Sequence, residues 1–308
     1  MIEHHIPILS NEVVENMVLD PQGIYIDCTL GFGGHSEKIL NKLDKKGMLL
    51  GIEIDPYAYK KSKMRLKNKY KNFNLFNCSY IDFPNILEKV GLKKVDGFLF
   101  DLGISSHQVN NAHRGFSFMN TGPLDMRFNP SDKNTKTAHE ILNSISEKDL
   151  SLGIKNFGEE RHHKRISSSI INARENQQLN TTLDLKNAIC KNISSKESIK
   201  TLSRVFQAIR IISNNELDTL KKTLMQTCDY LNKNGRIAAI SFHSVEDRII
   251  KHFFKDSVIY KDSTYDIDFK LNKKVLKTIN KKPIIPEKKE VELNPRSRSA
   301  KLRIAEKV

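Results

Sequence analysis

The chain has 308 residues, enough to bury a full core as one large domain or as one domain carrying an insertion. No run approaches the roughly 20 apolar residues needed to span a bilayer, and the stretch MIEHHIPILSNEVVENM lacks the basic start and apolar run of a secretion signal. The formal net charge of +15 suits a polyanionic partner, although a lysine-rich composition gives the same excess on surface that is merely solvated. The cysteines, Cys28, Cys78, Cys190 and Cys228, are scattered with no C-x-x-C pair. Neither a disulfide framework nor a metal site is expected, and a reducing cytoplasm is the simplest setting.

Residues 24–29 (IYIDCT) form a short β-rich run, followed by Gly31-Phe32-Gly33-Gly34, and a helical pattern starts near Ser36. Residues 48–54 make a second apolar run closed by Asp55-Pro56, where Asp can cap a helix and Pro can fill its first turn. A lysine-rich helix over 57–70, a third strand over 74–78 and a near-continuous apolar run over 95–102 (VDGFLFDL) follow. The last has the character of a strand buried on both faces. Strands separated by helices predict βαβ units and a doubly wound parallel sheet.

Residues 131–200 then read as helices with polar joints. Ser146 to Asp149 and Thr181 to Asp184 fit capping boxes, and Gly158 fits a helix stop. The sheet pattern resumes with a long helix over 215–232, a Lys-Asn-Gly turn and a buried strand over 236–242. The tail from 257 is basic and punctuated by Pro283, Pro286 and Pro295, and it ends in an alternating strand-like segment over 299–308. The expected division is therefore an α/β domain over 1–130 and 201–308, interrupted by a helical insertion over 131–200.

Glycines between a strand and a helix let the backbone approach a ligand and tolerate positive φ, while the helix N-terminus offers N–H groups. A plain tight turn or a dinucleotide enzyme uses the same device, though G-x-G-G is not G-x-G-x-x-G. Glu53 closes the second strand, 22 positions after Gly31 (53 − 31). An acid there accepts hydrogen bonds from both ribose hydroxyls of an adenosine ligand. Asp55 competes for that role, but its place before Pro56 suits a cap better. Tyr80 and Asp101 stand at the ends of the third and fourth strands. There an aromatic ring can cover adenine, and an acid can hold a polar cofactor edge or cap a helix. Contacts at the ends of strands three and four favour a methyltransferase over a dehydrogenase.

Beyond these elements, several blocks resemble one family. HIPIL (5–9), DCTLGFGGHS (27–36), VDGFLFDLGISSHQ (95–108), RGFSF (114–118), GPLDMRF (122–128), FGEERHHKRIS (157–167), FQAIRI (206–211), SFHSVEDRIIK (241–251) and NPRSRSAKLRIAE (294–306) run in order over nearly the whole chain. They are similar to blocks of the bacterial small-subunit (16S) rRNA cytosine-N4 methyltransferases, the RsmH or MraW family. The resemblance implies a class I, Rossmann-like methyltransferase sheet with an inserted helical domain that recognises RNA. It also implies S-adenosyl-L-methionine as cofactor, held by Gly33, Gly34, His35, Glu53, Tyr80, Asp101 and Gln108. The implied reaction is methylation of a cytosine N4 in the decoding centre, on ribosomal RNA or an assembled small subunit, with no DNA and no membrane as partner. This chain has Glu53 where the family usually has Asp, Tyr80 where Phe is common, and Ser-His-Gln where members often read Ser-Pro-Gln. Its tail linker is shortened.

Cytosine N4 is a poor nucleophile, so hydrogen-bond acceptors for its amino group are expected. The [DNS]-P-P-[YF] motif of many amino methyltransferases is absent: the place after strand four reads Asp101-Leu102-Gly103-Ile104. The candidates are Asp125, Ser105, Ser106 and His243. Asp125 alternatively pairs with Arg127 or Arg114, and His243 alternatively is a structural histidine. Phe116 and Phe118 stack on an extruded base or, more simply, pack under the insertion. Arg161, Arg165, Arg248, Arg296 and Arg298 are phosphate contacts or surface ion pairs. Three further readings stay open: an NAD-dependent oxidoreductase, a non-catalytic rRNA-binding assembly factor, and a DNA amino-methyltransferase, which the absent P-P-[YF] motif disfavours.

Overall fold

A computed structural model describes residues 7–191, 193–194, 196–260, 267–270 and 274–308. His5 and Ile6 of the first block and parts of the basic tail lie outside the described residues. The chain forms two compact units, one from the described residues of Met1–Gly103 and Asp218–Val308, the other from Ile104–Leu217.

The first unit opens with α1 (Ser10–Met17) and then alternates β1 (Ile24–Asp27), α2 (Gly34–Lys42), β2 (Met48–Ile52), α3 (Pro56–Lys67), β3 (Phe73–Phe76), α4 (Phe83–Lys89) and β4 (Val95–Asp101). The second unit carries α5 (Ser106–Asn110), α6 (Ala138–Ser144), α7 (Glu147–Gly158), α8 (His163–Glu175), α9 (Thr182–Cys190) and α10 (Ser198–Asn214). The chain then returns to the first unit through α11 (Glu216–Tyr230), β5 (Leu231–Ser241), α12 (Ser244–Asp256), the β6 (Val258–Tyr260) and β7 (Ile267–Lys270) pair, β8 (Leu276–Thr278), α13 (Lys288–Leu293) and β9 (Lys301–Lys307).

The main sheet runs β3-β2-β1-β4-β5-β9-β8. Its first five strands are parallel, and β9 runs antiparallel to both β5 and β8. This is the doubly wound α/β sheet expected from the alternation of strands and helices. The apolar runs have their cause in two-sided burial. Phe98, Phe100, Ile237 and Ala239 face one core layer with α4, α11 and α12, while Leu99, Ala238 and Ile240 face the other with α1 and α2. Strand order reverses between β1 and β4, so a crevice opens beyond their carboxyl ends, where sheets of this kind bind ligands.

Two expectations need correction. The Lys-Asn-Gly segment is a bulge within β5 rather than a turn before it. Val95 pairs with Leu231 and Gly97 with Arg236, and Asn234 takes a left-handed φ of 65°. The helical unit is also larger than 131–200, because 104–130 and 201–217 pack with its helices. The Asn214 side chain donates to Met126 O (2.7 Å) and accepts from Phe128 N (2.8 Å), stitching α10 to the 114–128 segment. Asn215, at φ 48°, ends α10 in a left-handed cap, so the long helix expected over 215–232 begins only at Glu216.

Both capping-box positions hold their helices. The Ser146 hydroxyl accepts from Asp149 N, and the Thr181 hydroxyl accepts from Asp184 N while Asp184 takes the Thr181 N–H. α7 stops at Gly158, as expected, and the glycine has a second use. Glu159 supplies the left-handed cap, and a Cβ on Gly158 would lie 2.6 Å from Arg204 O, so the missing side chain lets α7 and α10 touch backbone to backbone.

Candidate active site

Three loops meet at the carboxyl edge of the first unit's sheet. Asp27 closes β1 as a fully buried carboxylate, accepting the Ser36 hydroxyl at 2.7 Å and Thr29 N at 3.1 Å. Burial pushes its carboxyl up despite those bonds. Gly31 (φ 51°) and Gly33 (φ 79°) follow in left-handed backbone, which glycine adopts without cost. Gly33 is the N-cap of α2 and no side chain caps that helix, so its first N–H groups face the loop.

Glu53 follows β2 and folds back onto this loop. Its Oε2 accepts Gly31 N at 2.6 Å and its Oε1 accepts Asp55 N at 2.8 Å. Each oxygen keeps a lone pair beyond these bonds. The group is half-buried, and burial beside Asp55 and Asp27 pushes its carboxyl up to about 7 against the pull of the two N–H donors. Asp55 caps α3 through Tyr57 N at 2.9 Å, the use its place before Pro56 suggested.

Asp101 ends β4, and its N–H donates to the Thr29 hydroxyl at 2.6 Å, tying the β4 edge to the glycine loop. It caps no helix; Ser105 does that for α5. The Asp101 Oδ2 lies 3.5 Å from His35 Nε2, and its buried Oδ1 has no hydrogen-bond partner among the described residues. Both ring nitrogens of His35 also lack one: at 3.5 Å the Asp101 contact is an ion-pair distance rather than a formed hydrogen bond. Burial pulls the His35 pKa down, but Asp101, Asp27 and Glu290 outweigh it and leave it above the ordinary value. Tyr80 begins a single 3-10 turn after β3 and meets Phe100 edge-on at 5.8 Å.

Gly33, Gly34, His35, Glu53, Tyr80 and Asp101 thus gather at one sheet edge. The other candidates have local partners. In the second unit, Ser105 and Gln108 close a reciprocal capping box, with Ser105 N to Gln108 Oε1 at 2.9 Å and Gln108 N to Ser105 Oγ at 3.2 Å. Ser106 is the first residue of α5. Asp125 holds Arg127 in a two-pronged ion pair, Nε to Oδ1 at 2.8 Å and Nη2 to Oδ2 at 2.9 Å. The alternative reading of Asp125 is therefore the one observed. Phe116 stacks on Phe128 and Phe118 meets Phe206 edge-on, both inside the helical core. Arg161 pairs with Glu197, whereas Arg165 is exposed.

In the first unit, His243 caps α12. Its Nδ1 accepts Glu246 N at 3.3 Å, and its Nε2 lies 3.0 Å from Glu246 Oε1, off line for a hydrogen bond. Two functional features escaped the sequence reading. Asp27 organises the glycine loop, and its only signal was an acid closing an apolar strand. The buried Asp247–Arg303 ion pair, Oδ1 to Nε at 2.7 Å, joins α12 to β9 across 56 positions, a span with no local signature.

Residues 2–308 match the MraW methylase family. The chain belongs to that family. Similar members of the MraW methylase family include a protein of Caldicellulosiruptor bescii, 43% identical over 307 residues and 99% of each chain. Another, from Clostridioides difficile, is 40% identical over 312 residues and 99% of each chain. A third, from Halothermothrix orenii, is 43% identical over 316 residues, covering 100% of this chain and 99% of its own. All three are named ribosomal RNA small subunit methyltransferase H.

Proposed function

We propose that this chain methylates the exocyclic N4 of a cytosine in small-subunit ribosomal RNA, with S-adenosyl-L-methionine as donor. Membership of a methylase family supports the reaction class, and the names of the relatives support the RNA. The observation that carries the donor site is the orphaned Asp101 Oδ1, at the same edge as Glu53, whose oxygens each hold one N–H, and as the N-terminus of α2, which no side chain caps. A buried acceptor without a partner is costly unless a ligand completes it.

When bound, the donor's sulfonium supplies an already activated methyl group. Glu53 accepts the two ribose hydroxyls, Tyr80 lies against the adenine, and Asp101, held beside His35, accepts from a polar edge of the ligand. Gly31 leaves open the space a side chain would fill, while Gly33, whose Cβ would meet Ser62 and Leu66 of α3, supplies the left-handed backbone that turns the loop toward the ligand. The family resemblance also implies Gln108 as a donor contact; in the second unit its side-chain oxygen serves the α5 cap. The remaining work is alignment, because the cytosine amino lone pair is delocalised into the ring and must be set in line with the transferred carbon. Once methylated, N4 is acidic enough to release its proton to water, so no strong base is required. The cytosine must leave its stack to be reached, and the helical unit serves as the RNA-recognition domain.

Among the described residues no helix is long and apolar enough to cross a membrane. The place of action we assign is the cytoplasm, where small subunits assemble. The deciding experiment maps methylated nucleosides by mass in small-subunit RNA from cells with and without the protein, then offers purified protein both naked RNA and assembled subunits. A cytidine N4-methyl signal that vanishes with the protein and returns in one of those reactions is the expected result. RNA binding without methyl transfer would instead make the chain an assembly factor.

A further inference from the structure

Resting on the reading above, we infer that the segment just before β9 is a phosphate clamp for the substrate RNA strand, built onto the same sheet edge as the donor site. β5 ends at Ser241, which pairs with Lys301 at the start of β9, while its neighbour Ile240 pairs with Asp101. The start of β9 therefore lies two strand spacings, about 10 Å, along the edge from Asp101. That is the reach of two or three nucleotides at the 3.4 Å rise of a stacked strand.

Into this position the chain delivers Asn294-Pro295-Arg296-Ser297-Arg298-Ser299-Ala300-Lys301, which holds three cations and no acid. The five residues Pro295–Ser299 form a 3-10 turn with Arg296 and Arg298 exposed on either side of the buried Ser297. Arg248, exposed on the first turns of α12, adds a fourth cation from the helix that follows β5 at this edge.

The turn is not a loose tail. Asp247, the neighbour of Arg248, takes Arg303 through Nε at 2.7 Å and Nη2 at 3.1 Å, with Lys301 Nζ at 3.4 Å. Those cations hold its carboxyl below the ordinary range although burial works the other way. A buried, doubly bonded pair of this kind fixes orientation. The turn itself is anchored by the fully buried Ser297, whose N–H and hydroxyl both donate to Asn294 O while its carbonyl accepts from Ala300 N, so Arg296 and Arg298 sit at the edge in a set place. Arginine's planar fork is also the side chain suited to phosphate oxygens.

The test uses the full chain and its Arg296→Ala/Arg298→Ala double variant, with Arg296→Lys/Arg298→Lys as the charge-conserving control. Affinity for small-subunit RNA is measured against salt, and affinity for S-adenosylhomocysteine by calorimetry. Loss of two phosphate contacts lowers the slope of log K on log salt by about 1.4 to 1.8, and weakens binding roughly 25- to 60-fold at 0.1 M salt relative to 1 M. The lysine variant keeps the slope, and S-adenosylhomocysteine affinity stays unchanged in both. An unchanged slope in the alanine variant overturns the clamp. So does a drop in S-adenosylhomocysteine affinity, which would mean that the segment supports the fold or the donor site. Failure of the wild-type protein to methylate the RNA sinks the parent reading instead, and is seen separately.

Discussion

Glu53 titrates inside the physiological range, with its carboxyl pushed up to about 7 by burial beside Asp55 and Asp27. Ribose hydroxyls donate more strongly to the charged form. Ligand affinity therefore climbs as pH rises from 6 to 8, by at most about tenfold per unit below 7, and levels off above it. Calorimetry with S-adenosylhomocysteine reads this slope, and Glu53→Gln removes it. Glu53→Ala weakens binding by about 1.5–3 kcal/mol, or roughly ten- to a hundredfold; an unchanged dissociation constant strips Glu53 of its role. The fold responds with the opposite sign. The folded chain holds a proton that the unfolded chain, at 4.5, has released, so the ligand-free protein loses this increment of stability as pH rises from 4.5 to about 7. Asp125 behaves differently, since both its oxygens are spent on Arg127. Asp125→Ala strands a largely buried guanidinium and costs about 1–3 kcal/mol. Amide exchange should quicken at Met126 and Ala138, whose N–H groups bond Arg114 O and Asp125 O, while S-adenosylhomocysteine affinity holds. Slow exchange at both amides would show that the ion pair does not hold the segment.

At the scale of elements, what was legible follows from what repeats locally. The parallel strands announced themselves because residues such as Phe98, Leu99 and Phe100 are buried on alternating faces, which leaves no polar position between Asp96 and Asp101. Glu53 and Asp101 were legible because a strand end followed by an acid is a local pattern. Asp27, at another strand end, was passed over because its work is inside the loop. The helical unit's limits were illegible, since they depend on bonds such as Asn214 to Met126, 88 positions apart. The packing use of Gly158 was illegible for the same reason: it lies on α10, far along the chain. That use is testable. Gly158→Ala drives a Cβ to within 2.6 Å of Arg204 O unless α7 and α10 part. The cost expected is about 1–3 kcal/mol, seen as a lower denaturant midpoint for the helical unit, with donor-site affinity unchanged. A midpoint equal to wild type would mean that the two helices separate freely.

For the whole molecule, the +15 charge makes any association with RNA dependent on salt, but it assigns no place to the contact. The sheet has a temporal consequence as well. Its seven strands close only when β9 slots between β5 and β8, burying Leu302, Ile304 and Ala305. During synthesis those residues appear after every other strand, so β5 waits with a bare hydrogen-bonding rim while sixty further residues (301 − 241) are polymerised, from Ser241 to Lys301. A nascent chain stalled before Lys301 leaves that rim open to mispairing and to chaperones.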